Sequence, residues 1–179
     1  MKDYIGNPLQ IRGAEKYVLQ DGKGNGMHFL YIRNGLGLEA FISLDRAGDV
    51  SRVNFKGDNM GYFAPCGYVA PQYYDDKGAG FLKSFTAGFL TTCGLLSVGS
   101  PCVDNGETLP LHGTVSNTPA ESVNYQIEND TIHIKAVMRD ATLFSHKLVL
   151  EREYLVSLSE NKLSISDTVK NIGSSEAPL

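Results

Sequence analysis

One histidine in this chain stands where acid–base chemistry could be done. The stretch Leu109-Pro110-Leu111-His112-Gly113-Thr114-Val115-Ser116-Asn117-Thr118-Pro119-Ala120 surrounds His112 with two prolines, a glycine and Ser, Thr and Asn side chains. Proline removes the N–H that a helix interior or a central strand needs, so the run reads as a loop. An imidazole changes charge near neutrality, and a stiff loop holds it in place. Those are the two requirements of a general acid or base. The plainer reading of the same residues is a structural loop whose His112 caps a backbone carbonyl.

The elements that must position this loop are strands. Nineteen glycines, nine tyrosines and eight phenylalanines lean towards a turn-rich β protein, and no long 3.6-residue period runs through the chain. Residues 16–19, 27–33, 38–44 and 50–55 read as successive strands, with Asn34-Gly35 as a hairpin signal. Residues 61–88 are the least strand-like. There Pro71-Gln72-Tyr73-Tyr74 and Phe81-Leu82-Lys83-Ser84-Phe85 each suggest a short helical turn, amid aromatics expected to pack a long loop onto a sheet. Residues 89–96 are apolar and expected to be buried. Residues 97–107 form a long polar loop, and loops of that length in a compact domain are usually functional.

From residue 122 the pattern becomes regular. Residues 122–128 and 131–138 flank Asn129-Asp130 as a hairpin, residues 143–158 make one long strand or two with a bend, and residues 162–171 close the series. Asp167 falls on the apolar face of that last strand and needs a partner, for which Arg152 is the candidate. The other histidines read as structural: His28 partly buried, His133 on a polar face, His146 a hydrogen-bonded core residue. The expected architecture is all-β, a large antiparallel β-sandwich with one or two short helices, forming a single domain over residues 1–179.

Several classes are excluded. The net charge is −4 and spread along the chain, with no basic block, so nucleic acid is not an expected partner. No apolar run is long enough for a bilayer-spanning helix, and residues 1–8 hold no apolar signal region, so no membrane association is expected. Cys66, Cys93 and Cys102 are odd in number and lack metal-site spacing, which points to a reducing cytoplasm and no metal. There is no phosphate-binding glycine loop and no nucleophile elbow.

Leu111-His112-Gly113 followed by Ser116-Asn117-Thr118-Pro119-Ala120, and preceded by Leu90-Thr91-Thr92-Cys93-Gly94-Leu95, resembles a bacterial branch of the galactose mutarotase-like (aldose 1-epimerase-like) superfamily. The likeness extends to Leu44-Asp45-Arg46-Ala47-Gly48-Asp49, Leu150-Glu151-Arg152-Glu153 and Asp167-Thr168-Val169-Lys170-Asn171. It implies a mutarotase-like supersandwich that is incomplete in this chain, which would then be the N-terminal portion of a longer domain, or a chain that assembles as a homo-oligomer. It implies interconversion of sugar anomers by acid–base ring opening, with a small carbohydrate as partner and no cofactor. By the same resemblance His112 matches the family's first active-site histidine. The family's second histidine, its glutamate base and an upstream arginine have no match here, and Arg46 is the candidate substitute for the arginine. Asp45, Arg46 and Asn117 are the candidate sugar contacts, Asp as acceptor and Arg as donor; a surface ion pair is the plainer role for Asp45 and Arg46. Two other functions stay open: a sandwich that binds carbohydrate without turning it over, and a hydrolase or lyase of acidic sugars. No paired carboxylates at a credible site support the latter.

Overall fold

The computed structural model describes residues 4–177. Two antiparallel sheets, each running in chain order, face one another. The first holds β1 (Gly13–Val18), β2 (His28–Arg33), β3 (Leu38–Ser43), β4 (Asp49–Phe55) and β5 (Asp58–Asn59). A short pair, β6 (Tyr62–Phe63) and β7 (Ala87–Gly88), and a hairpin, β8 (Cys102–Asp104) and β9 (Glu107–Leu109), lie between the sheets in sequence. The second sheet holds β10 (Ala120–Glu128), β11 (Thr131–Ala141), β12 (Lys147–Ser157) and β13 (Leu163–Asn171). This is the all-β antiparallel sandwich expected from the sequence. The expected helices are single 3-10 turns, Pro71–Tyr73 and Gly80–Lys83, at the two expected places.

Alternation builds the core. Ile132, Ile134, Ala136 and Met138 of β11 point inward and meet Leu30, Ile32, Ala40, Ile42 and Val50 of the first sheet. Each of the Ile, Leu, Val and Met side chains among them contributes about 1.5–3 kcal/mol when removed from water. The outward positions of β10 and β11 are polar or half-exposed. Asn34 turns β2 into β3 through a wider loop than a two-residue hairpin: its Oδ1 accepts from the N–H of Leu36 (2.8 Å) and of Leu38 (3.0 Å).

The inward face of β12 breaks the apolar pattern at Arg152, which is buried. Asp167 lies directly opposite on β13, and Arg152 Nε and Nη2 donate to its two carboxylate oxygens at 2.7 and 2.6 Å. The expected pairing is therefore present and bidentate. Arg152 Nη1 continues inward, donating to Thr92 Oγ1 (2.7 Å) and the Ala47 carbonyl (3.2 Å), and lies 3.5 Å from Asp49. Asp49 accepts from the Thr92 N–H (2.8 Å) and hydroxyl (2.6 Å). Beside this network the Tyr154 hydroxyl donates to the Gly48 carbonyl. Gly48 has φ +66°, and a Cβ there would run into the Tyr154 hydroxyl. The sheets are thus joined by a buried polar staple as well as by apolar packing.

Three expectations need correction. Residues 89–96 are not a buried apolar run: Phe89 and Cys93 are exposed while Thr92 and Gly94 are buried, because the segment turns to deliver Thr92 to Asp49 and Arg152. His28 is exposed, not partly buried, at the first position of β2, where the Asp45 carboxylate accepts its backbone N–H and lies 3.2 Å from its ring. The long strand expected over residues 143–158 begins only at Lys147, after a turn.

Burial pushes the Asp49 carboxyl up to about 6, against the opposing pull of Thr92, Arg152 and Arg46. A folded value above the unfolded one means that the native state holds the proton more tightly. Stability from this group is therefore greatest below pH about 4, falls as the pH rises towards about 6, and is level above. Asp49→Asn should flatten that part of the curve of melting temperature against pH; an unchanged curve would refute the assignment. Arg152→Met leaves two carboxylates without their counter-ion, one of them buried. It should cost about 3–5 kcal/mol in urea unfolding, and a cost below about 1 kcal/mol would show that the staple is dispensable.

Candidate functional site

The His112 loop is pinned by main-chain hydrogen bonds to residues well before it. His112 donates its N–H to the Gly99 carbonyl (2.9 Å), and its carbonyl accepts from the Gly94 N–H (2.9 Å). Its φ is +59°, in the left-handed region that histidine enters more readily than most side chains. The imidazole packs edge-on against Phe81, with ring centroids 5.1 Å apart. Its Nδ1 accepts from the Gly99 N–H at 3.3 Å, so the ring does not cap a carbonyl, as the plainer reading supposed. That bond direction assigns the ring proton of neutral His112 to Nε2, which makes no protein hydrogen bond among the described residues.

Gly113 is required where it stands. Its φ is +74°, and a Cβ would collide with the Gly94 carbonyl. One residue further, the Thr114 hydroxyl reaches both oxygens of Asp140, at 2.9 and 2.8 Å. Asp140 ends the inward face of β11 and is buried. Its carboxylate lies 3.3 Å from Nε2 of His146, off the hydrogen-bond line. His146 is half-buried as a residue, with its side chain turned in and Nδ1 3.4 Å from the Ser145 hydroxyl, but its Nε2 makes no hydrogen bond among the described residues, so it is not the fully bonded core histidine expected.

The turn that follows β3 is stitched to the far end of the loop: the Ala47 N–H donates to the Thr118 carbonyl (2.9 Å), and the Ala120 N–H to the Leu44 carbonyl (2.8 Å). This brings the Asp45–Arg46 pair beside Asn117, but the two side chains diverge. Asp45 turns to His28 and borders a cleft of about 210 Å³ that also touches Gln72 and Pro119. Arg46 is buried, and its Nη1 donates to the Val69 carbonyl at 3.3 Å. Burial lowers its hold on the proton, and the nearby Asp49 charge offsets part of that. Asn117 is also buried, donating to Ser116 Oγ at 3.2 Å while its Oδ1 has no partner among the described residues.

Sequence reasoning missed Tyr74. Its hydroxyl donates to the Gly113 carbonyl (3.2 Å), and it lies within the field of Arg46. Burial, then the carboxylate of Asp76, raises its proton affinity. It follows the 3-10 turn Pro71–Tyr73, and the only signal for it was the aromatic cluster. Asp140 was missed as well, since a lone aspartate at a strand end has no distinguishing mark.

The model of a family described as a domain of unknown function (DUF4432) matches residues 24–179. The chain belongs to that family. No curated protein matches this DUF4432 chain. Among solved structures it is similar to a Klebsiella pneumoniae protein provisionally assigned as an aldose 1-epimerase. That match has 27% identity and a TM-score of 0.80, covering 89% of this chain and 43% of the other. It is also similar in fold to a galactose 1-epimerase from Lactobacillus acidophilus, at 14% identity and a TM-score of 0.59, covering 89% of this chain and 49% of that one. The DUF4432 chain thus spans less than half the length of either structure. Its fold is that of the aldose epimerases, as the resemblance implied.

Tyr74 and Asp140 hold the loop at the two residues that follow His112, Gly113 and Thr114. Asp140→Ala removes the acceptor of Thr114, and a lost charge-assisted hydrogen bond of about 1.5–3 kcal/mol should speed amide exchange at Asn117 and Thr118 by about tenfold or more. Unchanged exchange at those amides would show that Asp140 does not hold the loop.

Proposed function

We propose that this domain takes part in interconverting the anomers of a free sugar. The observation that carries the reading is the state of His112: fixed in a strained loop, with Nδ1 occupied by a backbone N–H and Nε2–H left for a ligand. Strained residues held by their surroundings mark functional sites more often than chance would give.

The reaction needs a base to take the proton of the C1 hydroxyl and a donor to the ring oxygen. The C1–O5 bond then breaks, C1 turns as an aldehyde carbon, and closure on the other face gives the second anomer. Proton transfer suffices throughout. His112, as a neutral Nε2–H donor, suits the ring oxygen or the C1 hydroxyl oxygen. Arg46 is a buried guanidinium whose hydrogen bond among the described residues engages Nη1 only, so its other N–H groups suit sugar hydroxyls. The Oδ1 of Asn117, without a partner among the described residues, and the carboxylate of Asp45 at its cleft are acceptors of the complementary kind. The aldose epimerase fold supports the same reading.

Among the described residues no helix is long and apolar enough to cross a membrane. All three cysteines are free thiols, which supports a reducing compartment such as the cytoplasm. A small-molecule carbohydrate is the partner this reading requires.

Exchange NMR on the native gene product with a panel of aldoses tests it. One aldose should exchange anomers faster than its spontaneous rate, and His112→Ala should lower the enzymatic rate by about 10²–10⁴-fold. Saturable sugar binding with exchange left at the spontaneous rate would overturn the proposal in favour of a non-catalytic binding sandwich.

A further inference from the structure

The outward face of the first sheet is not the polar surface that alternation usually leaves to water. Tyr31 and Phe41, neighbours across β2 and β3, stack with centroids 4.5 Å apart and planes at 27°. Tyr17 of β1 meets Tyr31 edge-on at 6.0 Å. Tyr68, from the loop after β6, meets Phe29 edge-on at 4.8 Å. Between Tyr17, Phe29, Phe41 and Tyr68 lies an open cleft of about 390 Å³. That is within the size range of small-molecule sites.

Arg52 lines the same cleft. A bulge puts it there: Phe41 pairs with Arg52 but Ile42 pairs with Val50, leaving Ser51 as the extra residue. The Ser51 hydroxyl bonds the Phe41 carbonyl and the Tyr68 hydroxyl, each at 3.1 Å, which holds Tyr68 over the sheet. The Arg52 guanidinium sits 4.6 Å from the Phe63 ring centre and 5.4 Å from that of Tyr68. Arg12, Arg33, Arg139 and Arg152 each face a carboxylate. Arg52 is the exposed arginine that faces none among the described residues, in a chain whose net charge is −4. Stacking on aromatic rings keeps a guanidinium in place while leaving its N–H edge free for a two-oxygen acceptor.

We infer that this cleft is a second binding site, for a small flat apolar molecule bearing one carboxylate. The aromatic walls take the ring, and Arg52 takes the carboxylate through paired N–H donors. A neutral sugar would use the aromatic faces but leave the Arg52 charge unmatched. The site lies on the outer face of the first sheet and is independent of the His112 proposal.

Phenylacetate, phenylacetamide and glucose are the probes, each titrated into the protein while the ring resonances of Tyr17, Phe41 and Tyr68 are followed by NMR. Phenylacetate should give saturable shifts at these rings and bind about tenfold or more tightly than phenylacetamide, the difference expected of one charge-assisted hydrogen bond. Arg52→Gln, at an exposed position, should erase that preference with the melting temperature unchanged. Phe41→Leu should weaken both aryl probes together. Equal affinity for phenylacetate and phenylacetamide would overturn the inference. So would shifts produced by glucose alone, shifts that follow protein concentration instead of probe and so report self-association, or no saturable shift with phenylacetate.

Discussion

A charged side chain inside a small sandwich is the constraint on which the rest of this structure depends. Arg152 stands on the inward face of β12, where its neighbours Leu150 and Tyr154 are core residues. A guanidinium in that position is tolerable only when each part of it is matched. The matching groups come from everywhere around it: Asp167 from the adjacent strand, Asp49 from the start of β4 in the other sheet, the Ala47 carbonyl from the turn before it, and Thr92 from the segment between. Burying one charge therefore specifies where four separate pieces of chain must meet.

The candidate site inherits its geometry from that meeting. Thr92 is fixed by Asp49 and Arg152, and two residues later Gly94 offers its N–H to the His112 carbonyl. Ala47, whose carbonyl accepts from Arg152, donates its own N–H to Thr118 at the far end of the His112 loop. The loop is thus held at both ends by segments that the buried arginine organises. The left-handed backbone of His112 and the close approach of Gly113 to Gly94 persist because these contacts over-determine them.

Part of this was legible in the sequence. The succession of strands, the sandwich class and the Arg152–Asp167 pair follow from alternation, because a charge on an apolar face demands a partner and the two residues fall in register. His112 was legible as a candidate from its proline-flanked loop and from the resemblance. The divergence of Asp45 and Arg46 was not, since adjacent residues in a turn share no face until the turn's own hydrogen bonds are known. Asp49 was hidden for the same reason. Tyr74 and Asp140 were invisible because their importance lies in a carbonyl and a hydroxyl contributed by the loop, at contacts remote in sequence. The 89–96 segment misled because its composition is apolar while its work is done by Thr92.

The fold presents neutral His112 as an Nε2–H donor, with Nδ1 already occupied by the Gly99 N–H. Nitrogen-15 NMR of the histidine rings at a pH where His112 is neutral tests this most directly. A proton on Nε2 and a bare, hydrogen-bond-accepting Nδ1 are expected at His112. A proton on Nδ1, or rapid averaging between the two tautomers, would contradict it.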